Sequence, residues 1–141
     1  PGPPYEELTF PITFEASDTI LDSRTIDVTG NYPSFPIITL QGPMSYPSVK
    51  NLTTGYKVEL NLVIPTGTVV TVTTGPNPTV VDNAGRNLVN YLRLDSSPAL
   101  LSLLPLELNG NVGNYVIAYG TDVTIGSRIA LAWTERFLGA A

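Results

Sequence analysis

Carboxylates and aromatic rings are the main side chains left here for chemistry, because the chain has no histidine and no cysteine. Ser-His-Asp and Cys-His catalysis are therefore excluded, as are thiolate metal sites and histidine-ligated zinc, copper and non-haem iron. Two converging carboxylates could still hydrolyse a glycoside. Glu6 and Glu7 stand near the start of the chain, and Glu59 alternates with Lys57 and Asn61 on an outward face. Asp82, Asp95 and Asp122 fall at turns, where aspartate commonly caps its own backbone. No pair among these stands out, and the expectation is a protein that is not an enzyme. The segment Asp82-Asn83-Ala84-Gly85-Arg86-Asn87 carries oxygen ligands and a glycine. It lacks the alternating spacing and the closing glutamate of a calcium loop, so a plain turn is expected, with no metal and no cofactor.

Exposed aromatic rings offer a second chemistry, since a flat ring can stack on the apolar face of a sugar. Tyr5, Tyr32, Tyr46, Tyr56, Tyr91 and Tyr119 are candidates, whereas Trp133 alternates with Ile129 and Leu131 and belongs to a core pattern. A carbohydrate-binding module is thus one reading, with a glycan as ligand. A net charge of −5 and only two lysines leave no basic patch for nucleic acid or for an anionic membrane. No apolar run approaches the length of a membrane-spanning helix.

The elements that must position these residues are strands. Val58, Leu60, Leu62 and Ile64 alternate with Lys57, Glu59 and Asn61 between Lys57 and Ile64, the pattern of a half-buried strand. Thr68–Thr74 is almost wholly β-branched, and Tyr115, Ile117 and Tyr119 alternate with Val116 and Ala118. Further strands are expected at Leu8–Glu15, Thr25–Val28, Ile37–Gln41, Ser48–Asn51, Thr79–Asp82, Leu103–Leu108 and 129–134. The 13 prolines and 12 glycines are spread along the chain, punctuating it about every ten residues, which indicates a sandwich or barrel. Helix is limited to a turn or two within Asn83–Leu94 and Pro98–Leu104, because Pro98 and Pro105 interrupt those leucine-rich segments. Residues 1–7 read as a linker or cut edge, and residues 8–141 as one β-sandwich domain, a fragment of a longer protein.

Gly30-Asn31-Tyr32-Pro33-Ser34-Phe35-Pro36-Ile37-Ile38-Thr39-Leu40-Gln41-Gly42-Pro43 is the most distinctive run. Pro33 and Pro36 fix φ and bias Tyr32 and Phe35 toward extended geometry, so the two rings either seal one end of the sandwich or present an aromatic contact surface. This run resembles the C-terminal domain of tail components, including distal tail proteins, of phages with long non-contractile tails. The likeness continues through Ile12–Asp18, through the Thr54-Gly55 turn with its flanking Pro47 and Asn51, through Asp95-Ser96 with Leu106–Asn111, and through Trp133–Leu138. Three departures stand out: Asn109 replaces a usual proline, Thr19 follows Asp18 where proline is common, and the strand after Gly67 lacks an acidic residue.

The resemblance covers roughly residues 8 to 138. It implies an all-β fold, a galectin-like or jelly-roll antiparallel β-sandwich. It implies a structural role in a phage or prophage tail or baseplate, located in the virion tail, or in the bacterial cytoplasm before assembly. Partners would be other tail and baseplate proteins and a host surface. The longer parent would form a homo-oligomeric ring, while this domain alone stays monomeric. Tyr32, Pro33, Phe35, Pro36, Tyr46 and Arg136 are the candidate contact or loop-signature residues, and Arg136 could pair with Asp95, Glu135 or a neighbouring subunit.

Overall fold

The computed structural model of the chain describes residues 5–11, 19–124 and 126–134, with side chains from Ser23 onward. Ten strands are defined: β1 (Tyr5–Pro11), β2 (Thr19–Ile26), β3 (Ile37–Gln41), β4 (Met44–Asn51), β5 (Lys57–Glu59), β6 (Val63–Ile64), β7 (Val69–Thr73), β8 (Thr79–Asp82), β9 (Asn114–Thr121) and β10 (Arg128–Thr134). They make two antiparallel sheets. The first has the order β1-β10-β3-β7-β8. The second has the order β2-β9-β4-β5, with β6 also pairing to β4. Successive strands from β1 to β4 alternate between sheets, and the N-terminal strands pair with the C-terminal ones, β1 with β10 and β2 with β9. This is the winding of a jelly roll, in which a long antiparallel ribbon curls so that both sheets close over one core.

The core follows from period-2 alternation on facing strands. Ile38 and Leu40 of β3, Val70 and Val72 of β7, and Ile129, Leu131 and Trp133 of β10 point inward from the first sheet. Val49, Val58, Val116 and Ala118 meet them from the second. Trp133 is buried, as its alternation with Ile129 and Leu131 required. Ala130 and Ala132 on the outer face of β10 are also buried, in keeping with a strand flanked on both sides by β1 and β3.

Four sequence expectations need revision. Strand β1 starts at Tyr5, so Tyr5, Glu6 and Glu7 pair with Thr134, Trp133 and Ala132 rather than forming a linker. The strand expected across Lys57–Ile64 divides into β5 and β6. Its partner β4 carries Tyr46 at φ 52° and then Pro47, which has no N–H to donate, so regular pairing lapses opposite residues 60–62. The inward alternation survives the break, with Val58, Leu60 and Ile64 buried and Leu62 packed against the core. The strand expected over Leu103–Leu108 reduces to one bridge between Ser34 and Leu103, because Pro105 ends the extended run and a single 3-10 turn follows at Leu106–Leu108. Strand β2 begins at Thr19 and ends at Ile26, earlier than the expected Thr25–Val28. A second 3-10 turn, Val89–Tyr91, falls inside the segment read as weakly helical.

Candidate functional site

The jelly roll has two ends, and the strand order decides which residues gather at each. The upper end holds the start of β3, the ends of β2, β4 and β7, and the start of β9. The lower end holds the Gly42-Pro43 turn and the segments around residues 65–68, 83–86, 122–124 and 126–127. Tyr32 precedes β3 and Tyr46 follows it, so the two sit at opposite ends of a strand that spans roughly 17 Å. The structure therefore separates Tyr46 from Tyr32.

At the upper end, the segment before β3 is fixed by backbone bonds to the long crossing that leads into β9. The Ser34 N–H donates to the Leu103 carbonyl at 3.0 Å, and the Leu103 N–H returns a bond to the Ser34 carbonyl at 2.7 Å. The Ser34 hydroxyl donates to the Thr134 carbonyl at 2.7 Å, tying in β10. Phe35 is half-buried against Gly75. A Cβ on that glycine would lie 2.9 Å from the Phe35 ring, and its φ of +103° is itself a glycine conformation. Pro36 is buried, and its carbonyl accepts from the Thr74 hydroxyl at 2.6 Å. Phe35 and Pro36 thus close the end of the sandwich, while Pro33 is half-buried and Tyr32 lies at the rim, partly exposed. Arg136 and Glu135 lie outside the described residues, as does the Ile12–Asp18 run.

Two buried asparagines hold the crossing in place. Asn51 Nδ2 donates to the Ser102 carbonyl at 2.8 Å and to Asn114 Oδ1 at 3.1 Å. Asn114 Oδ1 also accepts from the Leu104 N–H, and its amide donates to the Leu104 and Ile26 carbonyls. Nothing in the sequence pattern distinguished these two from the chain's surface asparagines.

Topology concentrates exposed apolar side chains at this same end. Among the described residues, 14 large apolar side chains are exposed, and eight of them occupy upper-end positions: Tyr32 and Ile37 at the start of β3, Leu52 and Tyr56 in the β4–β5 turn, Leu100, Leu108 and Val112 on the crossing, and Tyr115 at the start of β9. The crossing carries no regular strand, yet it is pinned from Gly75 N–H to the Pro98 carbonyl (3.0 Å) and from Leu106 N–H to the Val28 carbonyl (2.8 Å). The result is an apolar rim on a fixed backbone.

A separate cleft of about 520 Å³ lies at the edge of the second sheet. Residues 91–97 run beside β5: the Asn61 N–H donates to the Tyr91 carbonyl, the Arg93 N–H to the Glu59 carbonyl, and the Ser97 N–H to the Lys57 carbonyl. Across this edge runs a chain of alternating charges. Lys57 Nζ is 2.8 Å from Asp95 and 2.6 Å from Glu59, and Arg93 Nε lies 3.6 Å from Glu59. The hydrogen bond from Lys57 holds the Asp95 carboxyl below its usual range, and the bonds it donates to Asp95 and Glu59 raise the Lys57 ammonium.

Three of the candidate carboxylates, Asp82, Glu59 and Asp95, are each engaged by a neighbouring cation. Asp82 accepts from the N–H groups of Ala84 and Arg86 at 3.0 and 2.9 Å, and from Arg86 Nε at 2.7 Å, so its oxygens are turned into their own loop. Asp95 and Glu59 share Lys57. Among the described residues no group of three acidic side chains is placed to hold a metal ion. No family model, no curated protein and no solved structure matches this chain.

Proposed function

We propose that this chain is a structural module of a phage or prophage tail, acting through protein–protein contacts at the upper end of its jelly roll. The observation that supports this reading most directly is the clustering of eight exposed apolar side chains at one end of the sandwich. Monomeric surfaces rarely gather apolar groups this way without a partner to cover them. The ordered likeness of residues 8 to 138 to distal tail proteins supplies the class of partner, namely other tail and baseplate proteins. Tyr32, Leu108 and Val112 would be covered in the assembly, with Phe35 and Pro36 holding the rim in shape beneath them.

Light scattering on a sizing column tests the reading on a longer parent protein and on this chain alone. A closed ring for the parent, with the chain itself monomeric, is the expected result, since ring-forming interfaces give closed symmetric oligomers. A parent that stays monomeric, and that fails to join tail particles when co-expressed with the other tail genes, overturns it.

A further inference from the structure

We infer that the cleft at the edge of the second sheet is a binding site for a neutral saccharide. The inference stands independently of the tail-module reading, because it rests on a different part of the surface.

The chemistry of the lining selects the ligand class. Asn61, Asn90 and Arg93 put two planar amides and a guanidinium around one opening, with the Tyr91 ring beside them. Both asparagines line the cleft, and among the described residues their side chains make no hydrogen bond, so each keeps a carbonyl oxygen and two N–H donors for a ligand. That set of forked donors and acceptors matches adjacent hydroxyls on a sugar ring. The half-exposed Tyr91 ring supplies the apolar surface, since the negative face of an aromatic ring attracts the polarised C–H groups of a sugar.

Charge narrows the choice further. Lys57 and Arg93 are balanced by Glu59 and Asp95 in one connected chain, so the site has no net charge and no reason to prefer an anion or a cation. A phosphate or sialic acid would meet Asp95 and Glu59, and an amine would meet Lys57 and Arg93. The same chain orients Arg93 and Asp95 from below. The backbone bonds of residues 91–97 to β5 fix the cleft before any ligand arrives, which lowers the ordering cost of binding. A volume of about 520 Å³ falls in the range of small-molecule sites.

The test uses ligand-observed NMR and calorimetry on the intact chain with four neutral probes: cellotetraose, chitotetraose, maltotetraose and mannotetraose. At least one is expected to bind at about 10 mM or below. Tyr91→Ala and Asn90→Ala should each weaken that binding about tenfold or more. Tyr91→Phe should retain it, and Tyr119→Ala, on the outer face of β9, should leave it unchanged. A thermal melt of each variant shows that it is folded, and Tyr91→Phe keeps the question open to measurement should the alanine variant unfold. No binding by any of the four probes overturns the inference. So does binding that survives Tyr91→Ala, or a preference for sialyllactose or chitosan oligomers over all four neutral probes.

Discussion

Asn51 and Asn114 meet side chain to side chain at 3.1 Å beneath the upper end of the sandwich, and both are almost wholly withdrawn from solvent. Between them they bond three carbonyls (Ser102, Leu104 and Ile26) and the Leu104 N–H. The pair does for residues 102–104 what a sheet ladder does for a strand. It satisfies the backbone of a segment that has no strand neighbour of its own for most of its length.

Replacing Asn114 with Ala should therefore cost more than a surface change. It strands the Leu104 N–H and one Asn51 donor in the interior, and buried unsatisfied groups cost about 1–3 kcal/mol each. A fall in unfolding free energy of roughly 3 kcal/mol is expected, measured by urea titration, with the slope of the transition unchanged. Asn114→Asp should also destabilise the fold, because it buries a charge beside carbonyl oxygens and cannot donate to them. A loss below about 0.5 kcal/mol for Asn114→Ala would show that water replaces the amide.

Phe35 and Tyr32 separate sealing from contact. Phe35→Ala should destabilise by about 2 kcal/mol, less than a fully buried phenylalanine because the ring is half-exposed. Tyr32→Ala should cost less than about 1 kcal/mol, as its ring lies at the rim. Gly75→Ala should lose stability twice over, through its φ of +103° and through collision with the Phe35 ring. Combining Gly75→Ala with Phe35→Ala removes the closest contact, with the ring, but leaves the residue 35 Cβ at 3.2 Å and the backbone strain. The double variant should thus lose less than the sum of the two single losses. Strict additivity would place the Gly75 penalty in the backbone alone.

Much of the sandwich was legible because period-2 patterning is a local property. Val58, Leu60, Ile64, Ile129, Leu131 and Trp133 declare their faces within a few residues, and the structure buries each of them. Places where the reading failed depend on remote partners. Lys57–Ile64 reads as one strand, and the break comes from Tyr46 and Pro47 on the neighbouring strand. Leu103–Leu108 reads as strand by composition, yet only Ser34 is in position to pair with it. The upper-end cluster and the cleft are less legible still. Leu108 and Tyr32 are far apart in sequence, and Asn61 meets Tyr91 and Arg93 only because residues 91–97 lie along β5. Tyr91 was recognisable as a surface aromatic, while the two asparagines beside it had no distinguishing signal.

The apolar rim leads to a prediction about solubility and assembly. Leu108→Ser combined with Val112→Ser removes two side chains that are more than half exposed, at 56% and 61%. Stability should change by less than about 1 kcal/mol, since exposed groups contribute little to the core. Incorporation of the longer parent into tail particles should fall, as measured by co-sedimentation. Normal incorporation with normal stability would move the contact surface elsewhere.

Asp82 gives the chain an acid-sensitive turn. Hydrogen bonds from the Arg86 backbone and side chain, and from the Ala84 N–H, hold its carboxyl below the ordinary value of 3.8, outweighing the opposing effect of burial. A carboxyl lowered in the folded state contributes stability that is fully present above its unfolded value and is lost as pH falls through the folded one. The melting temperature should therefore be insensitive to this group between about pH 5 and 7 and should decline below about pH 4. Asp82→Asn should lower the melting temperature at neutral pH, because the neutral amide loses the ion pair with Arg86. The gap between the two proteins should then narrow as the pH drops and the wild-type carboxyl takes up its proton. Asp95→Asn is the comparison, since Asp95 is also lowered, by Lys57, but is largely exposed. Its gap should be the smaller of the two and should shrink in added salt, where exposed pairs are screened. A gap for Asp82→Asn that stays constant from pH 7 to pH 3 would show that the turn is held by its backbone bonds and not by the charge.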